Sequence, residues 1–176
     1  MLDKMAGGTS YGGLPIWVTE HKSGNYPWNP SGYPEYVEPA PNDDAYGRES
    51  WGYLRDAIKN GVTSYDAWNM VLSEDGKGID SFRQWSQNAL LVVDNGSVLK
   101  TPAYYVFRHL SQFVVPGARV VGTSGGEAVA FKNPDGSIVV VVYASANKSN
   151  YTVNIGGKLL QFNMPAEGWA TVKLAP

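Results

Sequence analysis

The spacing of apolar positions changes period part-way along the chain. Leu14–Val18 is a short apolar run set between glycine and the polar Thr19-Glu20-His21. It is too short for a helix and carries Ile16, Trp17 and Val18, so the pattern predicts a buried strand over Leu14–Thr19. Before it, Leu2–Ala6 offers one helical turn and then a glycine-rich loop. After it, residues 21–43 lose all periodicity. They read as a long irregular loop holding Pro27, Pro30, Pro34, Pro39 and Pro41 among the aromatics Tyr26, Trp28, Tyr33 and Tyr36. A loop of that length with so many rings points to an ordered, functional segment. From Asp44 the spacing turns helical, with Trp51, Leu54, Ala57 and Ile58 on one face. Asp43 or Asp44 caps the start and Gly61 ends it. Val62–Leu72 predicts a second strand, followed by a polar loop over Ser73–Asp80. Strand, loop, helix, strand is a βαβ order, whose natural product is a parallel pair.

A third apolar run, Ala89–Val93, ends in the turn Asp94-Asn95-Gly96. Thr101-Pro102 then opens a helix with a hydroxyl cap and a proline at the first helical position. Tyr105, Val106, His109, Leu110 and Phe113 form its apolar stripe, and Pro116-Gly117 stops it. Beyond Gly117 the period becomes two. Short strands are predicted over Arg119–Thr123, Ala128–Asn133, Ser137–Tyr143, Tyr151–Ile155, Leu159–Met164 and Trp169–Leu174. Asn133-Pro134-Asp135-Gly136 and Gly156-Gly157 supply hairpin turns. The change of pattern sets a domain boundary: 1–116 is α/β, and 117–176 is an antiparallel all-β module.

Composition narrows the function. The 176 residues are 43% hydrophobic, enough for a substantial core, and the formal net charge of −2 offers no footing for nucleic acid or an anionic membrane. Cysteine is absent, which excludes disulfides, thiolate metal sites and a cysteine nucleophile. No apolar run approaches the ~18 residues of a membrane span. Met1–Met5 lacks the apolar centre of a signal peptide. The 6 Trp and 11 Tyr fall largely in polar, glycine-rich company, where flat rings suit sugar faces as well as ordinary packing.

Glu20, where a strand meets a loop, reads either as a solvated charge or as a catalytic carboxylate. Strand ends of that kind carry the chemistry of α/β barrels. Thr19 and His21 stand beside it to bond or tune it, and Trp17, Tyr26 and Trp28 are available to wall a pocket. Trp68 lies two residues after Asp66, on the same strand face, and reads as a sugar platform or as core packing. Asp66 reads as a second acid or a loop-bonding residue. His21 and His109 form no metal site, and His109 belongs to an apolar stripe. No nucleophile triad, phosphate loop or zinc spacing occurs. Sequons stand at Asn95, Asn147 and Asn150.

PIWVTEH, SYDAWNMVLSEDGKG, NALLVVD, TPAYYVFRHLSQFVVPGARVV and AFKNPDGSIVVVVY, in that order, together resemble the C-terminal part of glycoside hydrolase family 30. This is the glucosylceramidase-like family of retaining β-glycosidases. The resemblance implies the last two βα units of a (β/α)8 barrel over 1–116, then a β-sandwich side domain. It matches Glu20 to the nucleophile at the end of barrel strand seven and Trp68 to a wall of the subsite for the cleaved sugar. Trp28 matches an aromatic wall of the same cleft, and Asn69, His21 and Tyr26 complete the implied substrate-binding set. Family members such as the lysosomal glucosylceramidase carry Asp-Trp-Asn where this chain has Ala67-Trp68-Asn69, which removes a hydrogen bond to a sugar hydroxyl. The family's acid/base glutamate sits in an Asn-Glu pair on strand four, and no Asn-Glu dipeptide occurs here. The implied partners are therefore a β-glucoside or glucan substrate and a missing N-terminal barrel portion, with no metal or cofactor, in a secreted or extracellular setting. Two other readings stand beside it: a non-catalytic carbohydrate-binding or interaction chain, and an inactive truncated fragment.

Overall fold

The computed structural model describes residues 14–22, 42–76 and 87–176, with only the backbone of His21 and Lys22. Contacts divide the chain into two units, Met1–Phe107 and Arg108–Pro176.

In the first unit, strand β1 (Ile16–Lys22) pairs in parallel with β2 (Val62–Trp68). Between them in sequence runs helix α1 (Asp44–Lys59), so the βαβ order gives the parallel pair that its crossover requires. The α1 N-cap is Asp43, whose Oδ1 accepts from the Tyr46 N–H at 3.1 Å, and Tyr46, Trp51, Leu54 and Ala57 are buried along its inner face. Strand β1 departs from expectation twice. It continues through Glu20 to Lys22, and it is not buried: Leu14 and Trp17 are each 66% exposed. Among the described residues β1 has β2 as its strand neighbour in a two-stranded sheet, so apolar content alone did not secure burial.

The predicted strand Val62–Leu72 is two strands. β2 ends at Trp68, and the chain resumes as β3 (Val71–Ser73), which joins a different sheet. That sheet has the order β3, β4 (Leu91–Asp94), β5 (Ser97–Lys100), with β4 parallel to β3 and antiparallel to β5. β5 was not anticipated. It follows from Asn95 at φ +46 and Gly96 at φ +78, the two positive angles of the tight turn that Asn-Gly favours. Helix α2 (Pro102–Ser111) is capped by the Thr101 hydroxyl, which accepts from the Tyr104 N–H at 3.3 Å. Its buried positions are Ala103 and Val106, whereas Tyr105, placed on the stripe by sequence, is 45% exposed. Tyr105 stands one residue, about 100°, off the Ala103/Val106 line.

The second unit holds all six predicted strands: β6 (Arg119–Val121), β7 (Ala128–Lys132), β8 (Ile138–Ala144), β9 (Lys148–Ile155), β10 (Lys158–Met164) and β11 (Gly168–Leu174). One antiparallel sheet has the order β11-β8-β7-β6, and β9 and β10 form a second. Alternation explains the packing. Ala128, Ala130, Val140, Val142 and Ala144 from the first sheet meet Val153 and Met164 from the second in one apolar cluster, which makes the module a β-sandwich. Val139, Val141 and Tyr143 point the other way and are also buried, so β8 is covered on both faces. Gly156 (φ +58) and Gly157 (φ +86) turn β9 into β10.

Candidate active site

The first unit brings together one set of the residues singled out by sequence. In the β1–β2 ladder Val18 is opposite Tyr65, His21 opposite Ala67 and Lys22 opposite Trp68. Three residues of β1 therefore span two of β2, and Glu20 lies inside this irregularity with its side chain exposed. Bulges of this kind re-aim a side chain and concentrate beside active sites. Asp66, across the ladder from the same interval, is likewise exposed. Glu20 is thus on the strand next to the one that ends in Trp68-Asn69.

Trp68 and Asn69 are held by Gln87, which is 3% exposed. Gln87 Oε1 accepts from the Trp68 indole Nε1–H at 2.6 Å and from the Asn69 Nδ2–H at 3.0 Å. The backbone is fixed as well, since the Leu90 and Leu91 N–H groups donate to the carbonyls of Asn69 and Met70 at 3.1 and 2.9 Å. Gln87 is itself anchored: its N–H donates to the Gly76 carbonyl at 3.1 Å, and Gly76 comes so close that a Cβ there would stand 2.5 Å from the Gln87 carbonyl oxygen. Asn42 Oδ1 accepts from the Ala89 N–H at 3.1 Å and from Asn88 Nδ2 at 3.4 Å. Thr101 donates its hydroxyl to the Ala89 and Leu90 carbonyls. The segment behind Trp68 is therefore locked from several sides.

Tyr65 is half-buried on β2, with its ring 6.0 Å from Phe107. Burial first, then the neighbouring Tyr53, Tyr46 and Glu49, push its phenol well above the ordinary value, so it stays neutral at any working pH. His109 packs as expected, with Nδ1 2.8 Å from the Thr171 hydroxyl. Burial and then the Arg108 charge hold its pKa below the ordinary value. The side chain of His21, and all of Tyr26 and Trp28, lie outside the described residues. Gln87 was missed by sequence reasoning. A lone glutamine ahead of an apolar run has no periodic signature, and only its two acceptor contacts reveal it. Chemically the arrangement offers two exposed carboxylates, Glu20 and Asp66, the large ring of Trp68 and the carboxamide of Asn69 backed by that of Gln87. Retaining glycoside cleavage uses a second carboxylate about 5 Å from the first. Among the described residues no cluster of His, Asp and Glu is arranged to hold a metal.

Residues 117–172 match the glycosyl hydrolase family 30 β-sandwich domain, the span that folds here as β6–β11. That sandwich is a family 30 domain. The chain is 27% identical over 123 residues to endo-1,6-β-D-glucanase BGN16.3 of Trichoderma harzianum, an alignment covering 58% of this chain and 25% of that protein. It is 32% identical over 87 residues to the lysosomal acid glucosylceramidase of Mus musculus, covering 46% and 17% of the two chains. The solved structure of the endo-β1,6-glucanase BT3312 superposes with a TM-score of 0.74 at 20% identity, over 99% of this chain and 38% of that one. At that identity the likeness is one of fold. The chain spans about a quarter of the length of the glucanase it matches.

Proposed function

We propose that this chain is the C-terminal portion of a retaining β-glycosidase acting on β-glucans, with Glu20 as its nucleophile. The observation that carries the proposal is the parallel β1–β2 pair, which sets Glu20 on the strand beside Trp68-Asn69. In this reading β1, α1 and β2 belong to the last βα units of a (β/α)8 barrel, residues 1–116 are its C-terminal part, and the sandwich begins at 117. Relatives named as endo-1,6-β-glucanases and as a glucosylceramidase support β-glucosidic bonds as the target class. A polymeric glucan would be met outside the cell, in keeping with an extracellular setting.

The chemistry runs in two displacements. The Glu20 carboxylate attacks the anomeric carbon as the glycosidic C–O bond breaks, and a glutamate supplied from outside these residues protonates the departing oxygen. That same glutamate then takes a proton from water, whose oxygen attacks the anomeric carbon and releases Glu20. Trp68, Asn69, His21, Tyr26 and Trp28 bind the sugar. By itself the chain lacks the acid/base partner, worth ~10²–10⁴-fold, so it turns over substrate negligibly. The test is to assay the chain joined to the rest of a family 30 barrel, trap it with a 2-deoxy-2-fluoro-β-glucoside and map the labelled peptide. The expected label is on Glu20; a label on any other residue refutes the assignment.

A further inference from the structure

Gln87 sits behind the sugar-facing pair rather than in it, and one of its atoms serves both members. An indole can only donate, so the 2.6 Å contact from Trp68 Nε1 fixes which end of the Gln87 carboxamide faces forward: the oxygen. That oxygen then dictates the sense of Asn69. Because Oε1 accepts from Asn69 Nδ2 at 3.0 Å, the Asn69 carboxamide is oriented with its nitrogen toward Gln87, and Oδ1 is the acceptor that remains. Gln87 has little freedom to reorient, since it is buried and its backbone is pressed against Gly76.

We infer that Gln87 is a positioning residue of the sugar site: its single carbonyl oxygen sets the plane of the Trp68 ring and the sense of the Asn69 amide. Trp68 then offers the sugar a face and no hydrogen bond, while Asn69 offers a carbonyl oxygen that accepts from a sugar hydroxyl. The inference rests on the reading of Trp68 and Asn69 as sugar-binding residues.

The test uses the complete enzyme, this chain with the remainder of its barrel, and a β-1,6-linked gluco-oligosaccharide as substrate. Gln87→Met removes the acceptor at nearly constant volume, and Gln87→Glu keeps an acceptor oxygen at the same reach. Losing the shared acceptor lowers kcat/KM by about 10- to 100-fold, the factor expected when hydrogen-bonded donors are left without a partner. Gln87→Glu recovers activity to within about 5-fold of wild type. In a Trp68→Phe background, which has no indole N–H, Gln87→Met costs measurably less than it does alone. Unchanged kcat/KM in Gln87→Met, no recovery in Gln87→Glu, or strict additivity with Trp68→Phe overturns the inference. Should Gln87→Met fail to fold, the wild-type Trp68 indole proton decides. Slow exchange with solvent, with and without sugar, is expected, and exchange as fast as a free indole overturns the inference. The fluoro-glycoside label separates the two levels. A label away from Glu20 removes the proposed function, whereas a Glu20 label with indifferent Gln87 variants removes this inference alone.

Discussion

Asn133 ties two segments of the second unit together through a single buried side chain. Its side chain, 3% exposed at the start of the Asn133-Pro134-Asp135-Gly136 turn, donates from Nδ2 to the Phe113 carbonyl and to Ser137 Oγ, both at 3.0 Å. Its Oδ1 accepts from the Val115 N–H at 3.3 Å. One amide thus ties the segment after α2 to the β7–β8 hairpin. Asn133→Ala deletes all three bonds. At about 1 kcal/mol each the loss is about 3 kcal/mol; Val115 is exposed, so water can recover its N–H and the lower bound is about 2 kcal/mol. The assay is a urea titration of the whole chain read at the Val141 and Val142 amide resonances, which report this unit. With an m-value of about 1.5 kcal/mol/M, the midpoint falls by about 2 M. A loss under about 0.5 kcal/mol, the level of an ordinary surface change, refutes the claim that this amide staples the module.

Other outcomes follow from the same contacts. Gly76→Ala forces a Cβ to 2.5 Å from the Gln87 carbonyl at φ +68, so it costs about 2–4 kcal/mol and frees the Trp68 indole, seen as accelerated exchange of its N–H. Asp43→Ala removes the α1 cap and costs about 1 kcal/mol by denaturant titration. His109 has a folded pKa below its unfolded value of about 6.5, so the unfolded chain binds the proton first. The associated stability is complete above that pH and is lost as pH falls below it; a midpoint that drops between pH 7.5 and 5 in wild type, and drops less in His109→Gln, checks this. Leu14, Trp17, Met70, Val98 and Leu99 leave apolar surface exposed on the isolated chain, so light scattering finds self-association, and a concentration-independent monomer contradicts it.

The sandwich was almost fully legible because its signals are local. Val139 to Tyr143 alternate between two faces, and Gly156-Gly157 and Asn133–Gly136 dictate their turns whatever lies around them. The first unit was legible only in its order. Helix α1 followed from Trp51, Leu54 and Ala57, and the parallel pairing of β1 and β2 followed from the crossover. The division of Val62–Leu72 did not, because the break at Trp68–Asn69 falls inside an apolar run with no proline or glycine to mark it. Strand β5 could have been found from Asn95-Gly96 standing between two apolar segments. The exposure of Trp17 lay beyond reach, since periodicity says which residues share a face and not whether anything covers it, whereas that of Tyr105 follows from its offset from Ala103 and Val106. In the site, Glu20, Trp68 and Asn69 carried chemical type and position in the sequence itself, while Gln87 acquires meaning only from the two donors that converge on it.

Strand β8 is the sequence Ile-Val-Val-Val-Val-Tyr-Ala, uncharged, free of proline and glycine, and rich in β-branched residues. Such a heptapeptide has the composition of an amyloid-forming segment. Native structure disarms it completely: β7 and β11 occupy its two hydrogen-bonding edges, and packing covers both faces. β11 guards one of those edges along the full length of β8, from Gly168 opposite Ala144 to Leu174 opposite Ile138. Detachment of β11 therefore does more than loosen a surface strand. It exposes a template for intermolecular β-pairing, so Gly168–Leu174 staying docked is what keeps β8 from associating with another chain.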